Sequence, residues 1–219
     1  EGGTSVDEHP MLSFDDRAAY HAITLTLIKD VPGMDRACEM LRAMIDDPDA
    51  VYRGILNDAE CRGAFKEGIT EKDVKKAIHA MANGQAESTT REKLGAVNDW
   101  LRAWAIEQMR VTDHLCNNDN AKRGVALIRK YFPKKTIAVK DSATGKLVRK
   151  EIDRDPRLTF VSYLRQDYEA RGLMAKIDFF REHHIDIFLP LHDDCYASKK
   201  QVAAAEAHLG RSVSEMLTE

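Results

Sequence analysis

IFLPLHDDCYA, residues 187–197, is an apolar run that ends abruptly in two carboxylates. With Ile185 in front of it, the β-branched and aromatic start predicts a strand over Ile185 to Leu191. His192-Asp193-Asp194 closes that strand, and Cys195-Tyr196-Ala197 returns as its hairpin partner. A second tip of the same kind lies near the start of the chain. Met11 to Phe14 is a short apolar run that stops at Asp15-Asp16. Between these two strands the periodicity is helical. Apolar stripes predict helices over Ala18 to Ile28, Met34 to Ile45, Asp49 to Leu56, Thr90 to Cys116, Lys122 to Tyr131 and Leu158 to His183, with a last one over Lys199 to Leu217. The fold class that follows is α+β, a small antiparallel sheet surrounded by helices.

The helix opened by Thr70 is the most sharply marked. Thr70 is a good N-cap, Asp73 completes an approximate capping box, and Asn83-Gly84 ends the helix. Val74, Ile78 and Met81 form its apolar stripe, while Lys72, Lys75 or Lys76, His79 and Asn83 recur on another side. One face is therefore core, and the other presents cations and polar tips. Further on, Thr136 to Lys140 and Lys146 to Arg149 flank Asp-Ser-Ala-Thr-Gly and predict a basic β-hairpin.

The chain has 219 residues, 43% hydrophobic and 32% charged, which allows one domain or two small ones and argues against wholesale disorder. No apolar run reaches membrane-spanning length, so no membrane partner is expected. The polar N-terminus EGGTSVDEHP has no apolar signal-peptide segment, and residues 1–10 read as a tail. Glu1 in place of Met points to a chain trimmed, processed or cut from a longer protein. Cys38, Cys61, Cys116 and Cys195 are scattered, with no Cys-x-x-Cys pair, which fits a reducing, cytoplasmic compartment. The net charge of −3 hides an asymmetry: Ala121 to Lys150 holds ten Lys or Arg against one acid, Asp141. Such a segment is either a polyanion footprint or a solvated basic face.

Two acidic strand tips suggest metal chemistry. Carboxylates packed closely repel unless cations bind among them. Oxygen-only sites suit magnesium, and two such ions can stabilise both the attacking and the leaving oxygen of a phosphoryl transfer. On this reading the metal ligands come from the pairs Asp15-Asp16 and Asp193-Asp194. The lysine row of the Thr70 helix supplies the complement, a grip for a triphosphate.

The order of these parts resembles that of single-subunit, phage-type RNA polymerases. SFDDRAAYHAITLTLIKDVPG (13–33) resembles their motif A, and GITEKDVKKAIHAMANG (68–84) the fingers helix of motif B. FVSYLRQDYEARGLMAK (160–176) resembles the helix whose Gln-Asp pair lies near the primer end, and IFLPLHDDCYA (187–197) resembles motif C. Family A DNA polymerases share this arrangement. The resemblance implies a palm over 11–48 and 152–219, fingers helices over about 49–131 and a hairpin over 134–151. It implies a template-directed nucleotidyltransferase, most simply a viral, DNA-directed RNA polymerase or its catalytic subunit, using two Mg2+ ions. Asp15 and Asp193 become metal ligands, and Lys75 becomes the triphosphate contact with Lys72, His79, Asn83 and Tyr20 around the nucleotide. His192 and Gln166 come near the 3′ end. Lys134, Lys135, Lys140, Lys146, Arg149 and Lys150 of the hairpin face nucleic acid.

Glu71 stands where the family has an arginine, Asn83 where it has a tyrosine, and Tyr20 where the residue governing sugar choice sits. The implied partners are template and product nucleic acid, nucleoside triphosphates, and a second polymerase subunit or a missing N-terminal region. The implied location is the host cytoplasm if the chain is viral. Three further readings stand beside this one: a family A-like DNA polymerase, a non-catalytic nucleic-acid-binding subunit, and an HD-type metal phosphohydrolase. The last would use His192-Asp193 with His183, His184 or His114 on helices.

Overall fold

The computed structural model describes residues 11–13, 19–59, 61, 63–140, 145–191 and 194–217. It is mixed α+β and mostly helical. The elements in order are β1 (Met11–Ser13), α1 (Ala19–Ile28), α2 (Asp35–Asp46), α3 (Pro48–Leu56), α4 (Glu71–Ala82), α5 (Glu87–Leu94), α6 (Asp99–Leu115) and α7 (Asp119–Tyr131). They continue with β2 (Lys134–Lys140), β3 (Leu147–Asp153), α8 (Pro156–Glu182), β4 (Ile187–Leu191), β5 (Asp194–Ser198), α9 (Lys199–Leu209) and α10 (Val213–Met216). No helix among the described residues is long and apolar enough to cross a membrane. Cys38, Cys61 and Cys116 are buried.

The chain divides into two compact units, one of Glu1–Ile23 with Arg165–Glu219 and one of Thr24–Leu164. The boundaries fall inside α1 and α8. The first unit holds a three-stranded sheet in the order β1-β5-β4. β5 pairs antiparallel with both neighbours: Ser13 lies across from Tyr196 on one side, and Leu191 across from Asp194 on the other. β1 and β4 are therefore not adjacent. They run in the same direction on either side of β5. The hairpin partner, two residues away along the chain, occupies one edge of β5 and leaves the other edge for β1. Pro190, which has no N–H to donate, is tolerated because β4 is an edge strand. Phe180, Ile185, Ala197, Val202 and Val213 form the core beneath this sheet.

The second unit is helical, with a two-stranded arm. Its core is built from Leu41, Met44, Ile55, Val74, Ile78, Leu101, Trp104 and Val111, all at most 2% exposed. α2 packs against α3 and α6, so residues 24–48, which the sequence groups with the palm, lie with the helical unit. Gly124 lets α7 lie close on α8: a Cβ there would sit 2.6 Å from the Phe160 ring.

Two long helices expected from the sequence are each split at a glycine. Thr90 to Cys116 becomes α5 and α6, because Gly95 adopts φ +93 and a Cβ on it would meet the Ala64 carbonyl at 2.5 Å. The Lys66 amide donates to Leu94 O at 2.8 Å, which fastens that loop against the turn. Lys199 to Leu217 becomes α9 and α10, parted at Gly210 with φ +68. The strand expected from Ile185 begins at Ile187, after His184 has taken a left-handed φ of 56. The hairpin expected over 134–151 begins at Lys134 as expected and runs two residues further, to Asp153.

Candidate functional site

Residues 14–18 and 192–193 lie outside the described residues, so Asp15, His192 and Asp193 do too, and so does the tip of the hairpin at 141–144. What can be placed is what precedes and follows them. β1 ends at Ser13 and β4 at Leu191, both strands heading toward the same end of one sheet. Two residues separate β4 from β5, whose first residue is Asp194. Among the described residues, no group of three His, Cys, Asp or Glu side chains could hold a metal ion.

In the same unit, Tyr20 and Arg165 meet. Arg165 is 5% exposed, and its guanidinium carbon lies 3.9 Å from the centroid of the Tyr20 ring. Burial lowers the Arg165 pKa, and Tyr20 and the Glu169 carboxylate on the next turn of α8 oppose that shift. Burial raises the Tyr20 pKa, opposed by the Arg165 charge and by a hydrogen bond to it. The His21 ring, 3% exposed, packs edge-on to Tyr20 with centroids 5.1 Å apart. Tyr20, which the sequence places near a nucleotide, is thus held rigidly from one side by a buried cation. Sequence reasoning passed over Arg165. An arginine beside an exposed Gln166 carries no local sign of burial, because the ring that covers it comes from α1, more than a hundred residues earlier. Gln166 itself is exposed on α8.

α4, in the helical unit, has the cap that its sequence announces. The Asp73 carboxylate accepts from the Thr70 hydroxyl at 2.7 Å and from the Thr70 amide at 3.2 Å. These hydrogen bonds, led by that from the hydroxyl, lower the Asp73 pKa. Val74, Ala77, Ile78, Met81 and Ala82 are buried, and the other side carries exposed Lys72 and Lys75. Lys76, also exposed, pairs with Asp73 at 3.6 Å. The Asn83 side-chain amide donates to the His79 carbonyl at 2.8 Å and closes the helix. A cavity of about 340 Å³ opens on the neighbouring flank, bordered by Asp73, Lys76, Gln85, Thr90 and Lys93. Lys72 and Lys75 do not line it.

Burial, followed by the nearby Lys75 ammonium, lowers the His79 pKa below the ordinary 6.5. A histidine kept neutral in the folded state contributes stability that is complete above about pH 6.5. That contribution is lost as pH falls toward the lowered folded value, because the unfolded chain takes up the proton first. His79→Gln should flatten this part of the profile. Urea midpoints of parent and variant, measured above and below pH 6.5, check it.

The arm formed by β2 and β3 is exposed along almost its whole length. Its register pairs Lys134 with Asp153, Lys135 with Ile152, Ile137 with Lys150 and Ala138 with Arg149. Lys134, Lys135, Lys146, Arg149 and Lys150 are exposed. Lys134 also reaches Glu151 at 3.8 Å, so part of its charge is answered within the arm. The side chain of Lys140 lies outside the described residues.

No family model, curated protein or solved structure matches this chain.

Proposed function

We propose that the chain is the palm-and-fingers part of a template-directed nucleotidyltransferase of the phage RNA polymerase type. The strand order supports it best. Each step along β1 from Met11 to Ser13 moves one step back along β5, from Ser198 to Tyr196. Beyond Tyr196, β5 runs back to Asp194, the residue across from Leu191 at the end of β4. In sequence, Asp15 comes two residues after Ser13, and Asp193 two after Leu191. Carboxylates from two strand ends at one end of one sheet are an all-oxygen donor set that fits hard divalent ions. Asp15 and Asp193, with Asp194 alongside, would hold two magnesium ions, which when bound supply charge stabilisation to the attacking and leaving oxygens.

In this reading Lys75 and Lys72 neutralise the triphosphate from an exposed helix face, and Tyr20, braced by Arg165, walls the nucleotide. Gln166 and His192 approach the 3′ end, and the arm grips template or promoter phosphates. A two-stranded ribbon has the width of a DNA major groove. His192-Asp193 directly follows a β-strand, which favours this reading over a phosphohydrolase that carries the pair on a helix. A second reading, a nucleic-acid-binding subunit without catalysis, draws on Glu71 and Asn83 in motif B and on the exposed basic arm.

Magnesium-dependent incorporation of nucleotides on a primed template separates the two, tried with ribo- and deoxyribonucleotides and with the chain alone and with candidate partner subunits. Within that assay, Lys75→Ala should raise the KM for nucleotide roughly tenfold or more, the cost of one charge-assisted contact. Lys29→Ala, at an exposed site, should change it little. Equal effects at Lys75 and Lys29 would reduce the lysine row to general charge.

A further inference from the structure

The C-terminal half of α7 carries an exposed face that neither the core nor the proposed catalytic site uses. Leu127 is 57% exposed, Tyr131 60% and Phe132 56%, while Ala121 and Ile128 on the opposite side are buried. Arg123, Leu127, Lys130 and Tyr131 are spaced at three, four and seven or eight residues and share this outer face. The Lys130 ammonium lies 4.9 Å from the centroid of the Tyr131 ring. Lys122, Arg129, Lys134 and Lys135 are exposed around it. From Asp119 to Arg154 the chain holds eleven Lys or Arg against four acids, an excess of seven in a protein whose net charge is −3.

Three large apolar side chains left in water are a cluster that an interaction would cover. The surrounding cations choose the partner. An apolar protein surface would meet a segment in which cations outnumber acids by seven, whereas a nucleic acid brings phosphates for the cations and flat bases for the rings. A duplex hides the faces of its bases inside the stack, so only unpaired bases reach Tyr131 and Phe132.

We infer that the end of α7 is a stacking platform for single-stranded nucleic acid, with Tyr131 and Phe132 taking bases and Arg123, Lys130, Lys134 and Lys135 taking phosphates. This extends the template partner of the proposed function, but it needs neither catalysis nor magnesium, so the two stand or fall separately.

The test is fluorescence anisotropy of the whole chain with a labelled oligothymidylate of about sixteen nucleotides, against a duplex of equal length, without nucleotides or magnesium. Tyr131→Ala with Phe132→Ala should weaken single-strand binding about tenfold or more, and leave duplex binding and the salt slope as they are. Tyr131→Leu with Phe132→Leu keeps apolar bulk and helix propensity but removes stacking, and should lose binding to the same degree. Arg123→Ala and Lys130→Ala should each lower the salt slope by about one. Undiminished single-strand binding in the leucine variant overturns the platform. So does an equal loss on single strand and duplex, which would leave only electrostatics. A concentration-dependent oligomer abolished by the leucine substitutions, with oligonucleotide binding intact, would overturn it in favour of a protein interface.

Discussion

Asp193→Asn is expected to abolish magnesium-dependent nucleotide incorporation, by about a thousandfold or more, while the circular dichroism spectrum and Tm stay those of the parent. The substitution keeps the size of the side chain and removes its charge. A metal ligand in a two-ion site carries several kcal/mol of transition-state charge stabilisation, and each 1.36 kcal/mol is a factor of about ten in rate. The fold should tolerate it, because Asp193 falls in the two-residue connection after β4, and the β4–β5 ladder is built from its flanking residues. Asp186→Asn provides the control. That carboxylate lies just before the other end of β4 and accepts from the Gln201 amide at 2.8 Å, so its loss should leave incorporation near the parent rate. Full activity in the Asp193 variant would end the polymerase reading.

Trp104→Ala should cost about 3–5 kcal/mol, the range for deleting a large aromatic from a packed core. For a chain of this size that corresponds to a Tm lower by roughly 10 °C. Trp104 has no exposed surface, and it sits on α6 where that helix packs against α4. Its indole N–H donates to the Ile78 carbonyl at 3.0 Å, and its ring stacks on Trp100 with centroids 5.5 Å apart and planes 12° from parallel. Removing it opens a cavity, leaves Trp100 without its stacking partner and frees one face of α4. Trp104→Phe keeps most of the packing and loses the hydrogen bond, so its cost should fall to about 1–3 kcal/mol. Because α4 carries Lys75, nucleotide KM should rise along with the loss of stability. A Trp104→Ala variant with an unchanged urea midpoint would contradict the packing described for this unit.

The hairpin at 187–198 and the amphipathic α4 were legible because each is a short-range pattern: alternation or a stripe, bounded by residues that cap or turn. Thr70 and Asp73 are three residues apart and find each other wherever the helix lies. Basic alternation likewise marked the arm, since most of its bonds join strands close in sequence. Its far end extends two residues past 151 because Asp153 breaks the charge pattern without breaking the ladder.

What the sequence could not supply depends on partners far along the chain. Gly95 reads as one more residue of a long helix until the 63–66 loop leaves no room for a Cβ and holds the turn through Lys66 and Leu94. Arg165 reads as an ordinary cation of α8 until the Tyr20 ring, from α1, covers its guanidinium. The candidate site divides in the same way. The sequence by itself puts acids shortly after two apolar runs and cations on one helix face, since both follow from residue type and local period. Only the tertiary structure decided that β5 lies between β1 and β4, so that both tips head to one end of a sheet. A strand's hydrophobic pattern specifies which face is buried, and the choice of neighbour is settled by whichever edge the nearer hairpin leaves open.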